Sequence, residues 1–157
     1  MDDGQRRLPL PGAGEPTTAL LYTDGASRGN PGASGWGAAL IDAASGEVIA
    51  EACGALPDTT NNVAEYTAII EGLKLAHRHG VGALELRADS LLLIMQLTGK
   101  YKIKAPHLIP LAAEARKLLA KFDRWSAVHV PREQNARADR QANLGADQAQ
   151  RLYHGRR

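Results

Sequence analysis

The chain has a single cysteine, Cys53, so an internal disulfide is excluded. That fits a reducing cytoplasm, the expected location, and Cys53, in an apolar stretch, reads as a small buried hydrophobe. Aromatic residues make up only 4% of the sequence, which excludes nucleic-acid binding through many stacking platforms. Trp36 and Trp125 read as core residues. No apolar run approaches a membrane span, and the N-terminus has no hydrophobic signal core. Met1–Thr18 is polar and rich in Gly and Pro, so residues 1–17 read as a disordered leader. Residues 18–150 suit one compact domain, with a basic tail over 151–157.

The net charge of +2 is modest but unevenly spread. Residues 1–99 carry 6 Lys and Arg against 12 Asp and Glu, whereas residues 100–140 carry 10 against 4. A solvated helical face accounts for a basic run of this kind. The asymmetry also suits a protein with one flank against a polyanion.

Strand-like segments come first, at Ala19–Asp24, Trp36–Asp42 and Val48–Gly54. The last two are joined by a short turn-rich link that implies an antiparallel hairpin. From Asn62 to about His79 the apolar residues recur at three- and four-residue steps, which predicts an amphipathic helix. A strand over Ala83–Ala88 and a short helix from Ser90 to about Thr98 come next. Then come a basic loop over Lys100–Pro106, a helix over His107–Phe122, a strand over Trp125–Val130 and a last helix over Asn135–Gln150. The order βββαβααβα implies an α/β fold, a mixed sheet with an antiparallel hairpin at one edge and helices packed on it.

Four carboxylates fall where these elements begin or end, and each has a local structural explanation. Asp24 suits a turn, and Glu65 stands at a capping-box spacing from Asn62. Asp89 suits an N-cap, and Asp139 suits the dipole in the first turn of the last helix. Together they say more. Sites in open sheets form beyond the carboxyl ends of strands. If the first and fourth strands are neighbours, Asp24 and Asp89 meet there, and helix starts near Asn62 and Asn135 bring in Glu65 and Asp139. Clustered carboxylates repel unless a cation sits among them, and Mg²⁺ is the natural oxygen-bound partner. Two such ions activate a water and stabilise the leaving oxygen of a phosphodiester.

The stretches Thr23-Asp24-Gly25, Gly29-Asn30-Pro31-Gly32, Gly35-Trp36-Gly37-Ala38, Thr60 to Glu65, Ala88-Asp89-Ser90 and Asn135 to Asp139 occur in one register. In this order and spacing, from about Thr18 to about Asp147, the sequence resembles type 1 ribonuclease H (ribonuclease HI). The resemblance implies a ribonuclease H-like fold with a five-stranded mixed sheet in the order 3-2-1-4-5. It implies endonucleolytic hydrolysis of the RNA strand of RNA–DNA hybrids, with 5′-phosphate and 3′-hydroxyl products. It assigns Asp24, Glu65, Asp89 and Asp139 to a centre for two Mg²⁺ ions, with Mn²⁺ as a substitute. Substrate contacts map to Ser27, Arg28, Gly29 and Asn30, and to Asn61 and Asn62. Reading a 2′-hydroxyl suits Asn, which both donates and accepts on a short arm; for Asn62 an N-cap role competes.

Two features depart from the best-known members. The basic, Trp-containing helical insertion is absent, and Lys100, Lys102 and Lys104 are the only obvious replacement for its phosphate attraction. The loop before the last carboxylate reads Val128-His129-Val130-Pro131-Arg132-Glu133-Gln134-Asn135, which resembles the archaeal and actinobacterial-type branch. There an arginine, here Arg132, stands in for the usual histidine. Arginine cannot act as a base, but it can neutralise phosphate charge. His129 is a further candidate, read mainly as a strand residue, while His77, His79, His107 and His154 read as surface residues.

The alternatives are a catalytically weak or inactive hybrid- or RNA-binding relative, or another nuclease of the same superfold, with double-stranded RNA as a further substrate. A pure binder gains nothing from a negative cluster facing phosphates. Exonucleases of this superfold usually carry Asp-x-Glu where this chain has Asp24-Gly25-Ala26. A monomer acting on an RNA–DNA hybrid, with no membrane association, is the expected state.

Overall fold

A computed structural model describes residues 18–155. The leader expected over 1–17 and the last two residues of the expected tail lie outside the described residues. The elements run β1 (Thr18–Ser27), β2 (Gly32–Asp42), β3 (Val48–Thr59), α1 (Asn61–Arg78), β4 (Ala83–Ala88), α2 (Leu91–Leu97), α3 (Ile109–Leu119), β5 (Arg124–His129) and α4 (Ala136–Tyr153). Single turns of 3-10 helix at Pro106–Leu108 and Arg132–Gln134 lead into α3 and α4. The sheet order is β3-β2-β1-β4-β5, as the resemblance implied.

β1 is the central strand. It pairs antiparallel with β2, so that Asp24 lies opposite Gly37 and Gly25 opposite Trp36, and parallel with β4, from Thr18↔Ala83 to Thr23↔Ala88. Successive strand residues face opposite sides, and each side receives its own helices. Leu21, Leu40, Leu84 and Leu86 join Ile69, Leu73, Leu93, Leu119 and Phe122 in the main core under α1, α2 and α3. α4 lies on the other side, against β2 and β3, through buried alanines at 138, 142, 146 and 149.

The first and third strands run past the turn signals that were expected to end them, and β2 begins earlier, at Gly32 rather than Trp36. β1 continues through Asp24-Gly25 to Ser27, with Ala26 opposite Gly35 and Ser27 opposite Ser34. Asp24 is therefore no turn former: it sits inside a paired strand. The glycines here are packing residues. A Cβ on Gly37 would stand 2.3 Å from Ala142 N and 2.4 Å from Ala138 O, so α4 rests on β2 backbone to backbone.

Helix starts also shift. Thr60, not Asn62, caps α1, accepting from Val63 N at 3.3 Å. Ser90, not Asp89, caps α2, accepting from Leu93 N. Neither Glu65 nor Asp89 is used up in capping. Trp36 packs against the core, but Trp125 is 38% exposed on edge strand β5, which no further strand among the described residues covers. His77 is half-buried, stacked on Phe122 with ring centroids 4.0 Å apart, because it lies on the face of α1 turned to α3. Cys53 is only half-buried, and desolvation raises its thiol pKa. Residues 151–153 belong to α4.

Candidate metal centre and nucleic-acid interface

Asp24 lies in the last third of β1 and Asp89 directly follows β4, and the parallel pairing of these two strands brings them together. Glu65 comes from the second turn of α1. It reaches the same place because Gly25 has no side chain: a Cβ there would stand 2.5 Å from Ala64 C and Glu65 N. Asp24, Glu65 and Asp89 can each offer an oxygen with all three within 4.8 Å of one another. Asp139, in the first turn of α4, stands outside that tight group but lines the same cleft, and its charge adds to the rise of the Asp24 carboxyl.

The electrostatics of the group are strained. Burial pushes the Asp24 carboxyl up to about 7, and the negative charge of Asp89 adds to the rise. Burial, then the charge of Asp24, holds Glu65 well above the usual carboxylate range. Asp24 and Glu65 are neighbouring buried carboxylates, which cannot both carry charge cheaply. Three oxygen donors, crowded and reluctant to ionise together, form a donor set that fits a hard divalent cation. The carboxylates fit the group that the resemblance implied.

The surrounding cleft has a volume of about 380 Å³, and Ser27, Arg28, Asn61, Asn62 and Arg132 line it beside the four acids. Gly29 and Asn30 lie in the adjoining loop after β1. The Asn30 Oδ1 accepts from Asn61 N at 3.0 Å, and Ser27 Oγ donates to Gly29 O and to Thr59 O, the latter at 3.1 Å. These bonds tie the loop to the start of α1. Arg132 is 82% exposed at the rim, its Nη2 3.9 Å from Asp139 Oδ1. His129 ends β5 as an exposed residue, paired with Ala88, and does not line the cleft. Lys100, Lys102 and Lys104 line a second groove of about 540 Å³ with Tyr101, Gln96 and Leu108, and Asn62 borders both grooves.

Two residues at the site had no role assigned from the sequence, although Asn135 stands in the last matching stretch. Asn135, 1% exposed, donates its side-chain amide to Thr23 O at 2.9 Å and to Asp89 Oδ2 at 3.4 Å. Asn143, one turn beyond Asp139 on α4, lines the cleft. A polar residue at a helix start or on a helix face looks like an ordinary cap or solvated position until its partner is known.

The family model described as "Reverse transcriptase-like" matches residues 22–145. The chain is similar to a protein named ribonuclease HI from Halobacterium salinarum, 45% identical over 128 residues, which cover 82% of this chain and 64% of that one. The chain thus spans just under two thirds of that relative. The solved structure of RNase H1 from Halobacterium salinarum superposes with a TM-score of 0.80 at 44% identity, covering 83% of this chain and 98% of the other. Ribonuclease HI from Caulobacter vibrioides is 36% identical, covering 82% of this chain and 93% of its own length. LC11-RNase H1, solved in complex with RNA/DNA hybrid, superposes with a TM-score of 0.78 at 38% identity, covering 83% and 98%.

Proposed function

Because the chain belongs to the type 1 ribonuclease H family, we propose that it is an endoribonuclease that hydrolyses the RNA strand of an RNA–DNA hybrid. The products are a 5′-phosphate and a 3′-hydroxyl. The observation that carries this reading is the meeting of Asp24, Glu65 and Asp89, from three separate elements, within 4.8 Å in an open cleft. A structural role for these acids would not concentrate negative charge where two of them resist ionisation.

Asp24, Glu65, Asp89 and Asp139 would hold the metal, most simply two Mg²⁺ ions with Mn²⁺ as a substitute. When bound, the ions supply water activation and charge neutralisation at the leaving oxygen. The chain's own residues do the rest. Ser27, Gly29, Asn30, Asn61 and Asn62 present hydroxyl, amide and bare backbone groups to the minor groove, where a 2′-hydroxyl distinguishes RNA from DNA. The bonds from Asn30 to Asn61 and from Ser27 to Thr59 hold that surface in one shape before substrate arrives. Arg132, at the rim, meets the scissile phosphate as a positive charge that is never lost to deprotonation. Lys100, Lys102 and Lys104 attract the neighbouring backbone. The chemistry suits a monomer in a reducing cytoplasm.

The test is cleavage of matched labelled RNA–DNA, RNA–RNA and DNA–DNA duplexes with Mg²⁺ or Mn²⁺, with Asp24→Asn as control. Cleavage of the RNA strand of the hybrid and its loss in the Asn variant are expected. Cutting of the DNA–DNA duplex, or undiminished activity in Asp24→Asn, overturns the reading. The RNA–RNA arm defines whether double-stranded RNA is a second substrate.

A further inference from the structure

Arg28 was expected to contact substrate, yet its guanidinium is committed to α4. Its Nη2 donates to Asn143 O at 3.1 Å and to Asn143 Oδ1 at 3.2 Å, and its Nη1 pairs with Asp147 Oδ1 at 2.9 Å. On its other side, Asn143 donates from Nδ2 to Asp139 O at 2.9 Å and to the Asp139 carboxylate Oδ1 at 3.4 Å. An amide has two functional ends, and each end of Asn143 is engaged: oxygen toward the loop arginine, nitrogen toward the carboxylate. Asparagine is a poor helix-interior residue, because its side chain competes for backbone groups. A half-buried one at the middle of an 18-residue helix therefore needs a reason.

Asp139 needs such a holder. It is the one acid of the four outside the 4.8 Å group. Its other neighbour, Arg132, is 3.9 Å away and 82% exposed, too mobile a side chain to set a carboxylate's rotamer. The Asn143 amide and the Arg132 guanidinium both fall on Oδ1 of Asp139.

We propose that Asn143 is a positioning residue that orients the Asp139 carboxylate and, through Arg28, couples it to the substrate loop after β1. The inference rests on the ribonuclease H reading for its kinetic consequences and on geometry alone for the coupling. In this arrangement Arg28 acts on the hybrid indirectly. Loop residues that meet the minor groove and the carboxylate nearest the rim then move as one unit.

The test compares wild type, Asn143→Ala, Asn143→Asp and Arg28→Ala on a labelled RNA–DNA duplex in Mg²⁺, with kcat and KM separated and thermal midpoints recorded. Asn143→Asp keeps the shape and an acceptor for Arg28 but has no donor for Asp139. Its kcat should fall about ten- to hundredfold with KM held within about twofold, the loss expected for one hydrogen bond to a charged group. Arg28→Ala spares the donor and frees the loop, so its KM should rise several-fold while kcat falls less than in Asn143→Asp. A second readout needs no activity: in ¹⁵N-labelled, substrate-free protein, Mg²⁺ should shift the side-chain amide resonances of Asn143 in wild type and not in Asp139→Asn. Wild-type kcat in both Asn143 variants overturns the proposal, as does an Asn143 amide unmoved by Mg²⁺. If the wild type itself leaves the hybrid intact, the functional reading fails while the amide shift still decides the positioning role.

Discussion

The Asn135 side-chain amide and the Thr23 carbonyl meet at 2.9 Å across 112 residues of sequence, directly before Asp24 on β1 and directly before the first residue of α4. The same amide touches Asp89 Oδ2 at 3.4 Å. This bond joins β1, the end of β4 and the start of α4 at a point that is almost wholly buried.

Asn135→Ala removes a buried hydrogen bond to the Thr23 carbonyl, which costs about 0.5–1.5 kcal/mol. Urea unfolding should show that loss in the metal-free protein. Turnover should fall further than stability alone explains, because Asp89 loses its restraint. An unchanged unfolding midpoint would remove Asn135 from this role.

The pH dependence comes from the raised carboxyls. Below pH 3.8, the ordinary value, Asp24 is protonated folded or unfolded; between 3.8 and about 7 the folded protein keeps a proton that the unfolded chain has released. The metal-free protein should therefore lose stability as pH rises through that window and level off above it, at a slope of roughly 1.4 kcal/mol per pH unit for one proton. Glu65, also raised, acts in the same direction. Mg²⁺ should restore the loss at pH 8 and have little effect at pH 5. Asp24→Asn should melt higher than wild type in EDTA at pH 8 while being inactive. Thermal unfolding with and without Mg²⁺, beside the hybrid-cleavage assay, checks all three.

Gly25→Ala tests how Glu65 is brought to the site. The new methyl would lie 2.5 Å from the α1 backbone at Ala64 and Glu65, with no flexible neighbour to yield. Pushing α1 outward should cost about 1–3 kcal/mol and weaken Mg²⁺ binding measured by calorimetry. Ala at the solvent-facing Gly46, where nothing lies within 4 Å, brings no such clash, and Mg²⁺ binding there should match wild type.

Arg132 and His129 separate cleanly by position. Arg132 lines the cleft and His129 does not. Arg132→Ala should lower kcat at saturating Mg²⁺, and His129→Ala should leave it within about twofold, the range of an exposed substitution away from the site. Loss of turnover only in His129→Ala would reverse the assignment.

The three lysines of the second groove should act on affinity alone. Replacing Lys100, Lys102 and Lys104 with Gln should flatten the salt dependence of hybrid binding by roughly 2–3 in the log–log slope, with kcat unchanged. An unaltered slope would place the hybrid elsewhere.

The legible parts of this molecule were those written in apolar periodicity and in side chains with one chemistry. Leucine and alanine spacing marks α1 and α3, the hairpin and the crossover set the strand neighbours, and a carboxylate at a strand end can be seen as a ligand. Strand ends were harder. Gly25, Gly35, Gly37 and Gly54 look like turn signals, but they are strand residues whose missing side chains make room for helices and for the Trp36 ring. Thr60 and Asn62 are equally good caps, and only the backbone decided for Thr60. Trp125 looked like core because size is visible in a sequence and an edge position is not. The roles of Asn135, visible in the sequence only as part of a motif and a helix start, and of Asn143 were hidden for a different reason: an amide declares its role only through the partners that the fold gives it.

The order in which the site's parts occur along the chain has a consequence for synthesis. Asp24 is made first and Asp139 last among the four acids, and α4, which carries Asp139, packs on β2 and β3, strands made long before it. The fourth acid can therefore join the other three only after the hairpin that α4 packs on has been made. Competence arrives in one late step, when the last helix docks on its glycine floor.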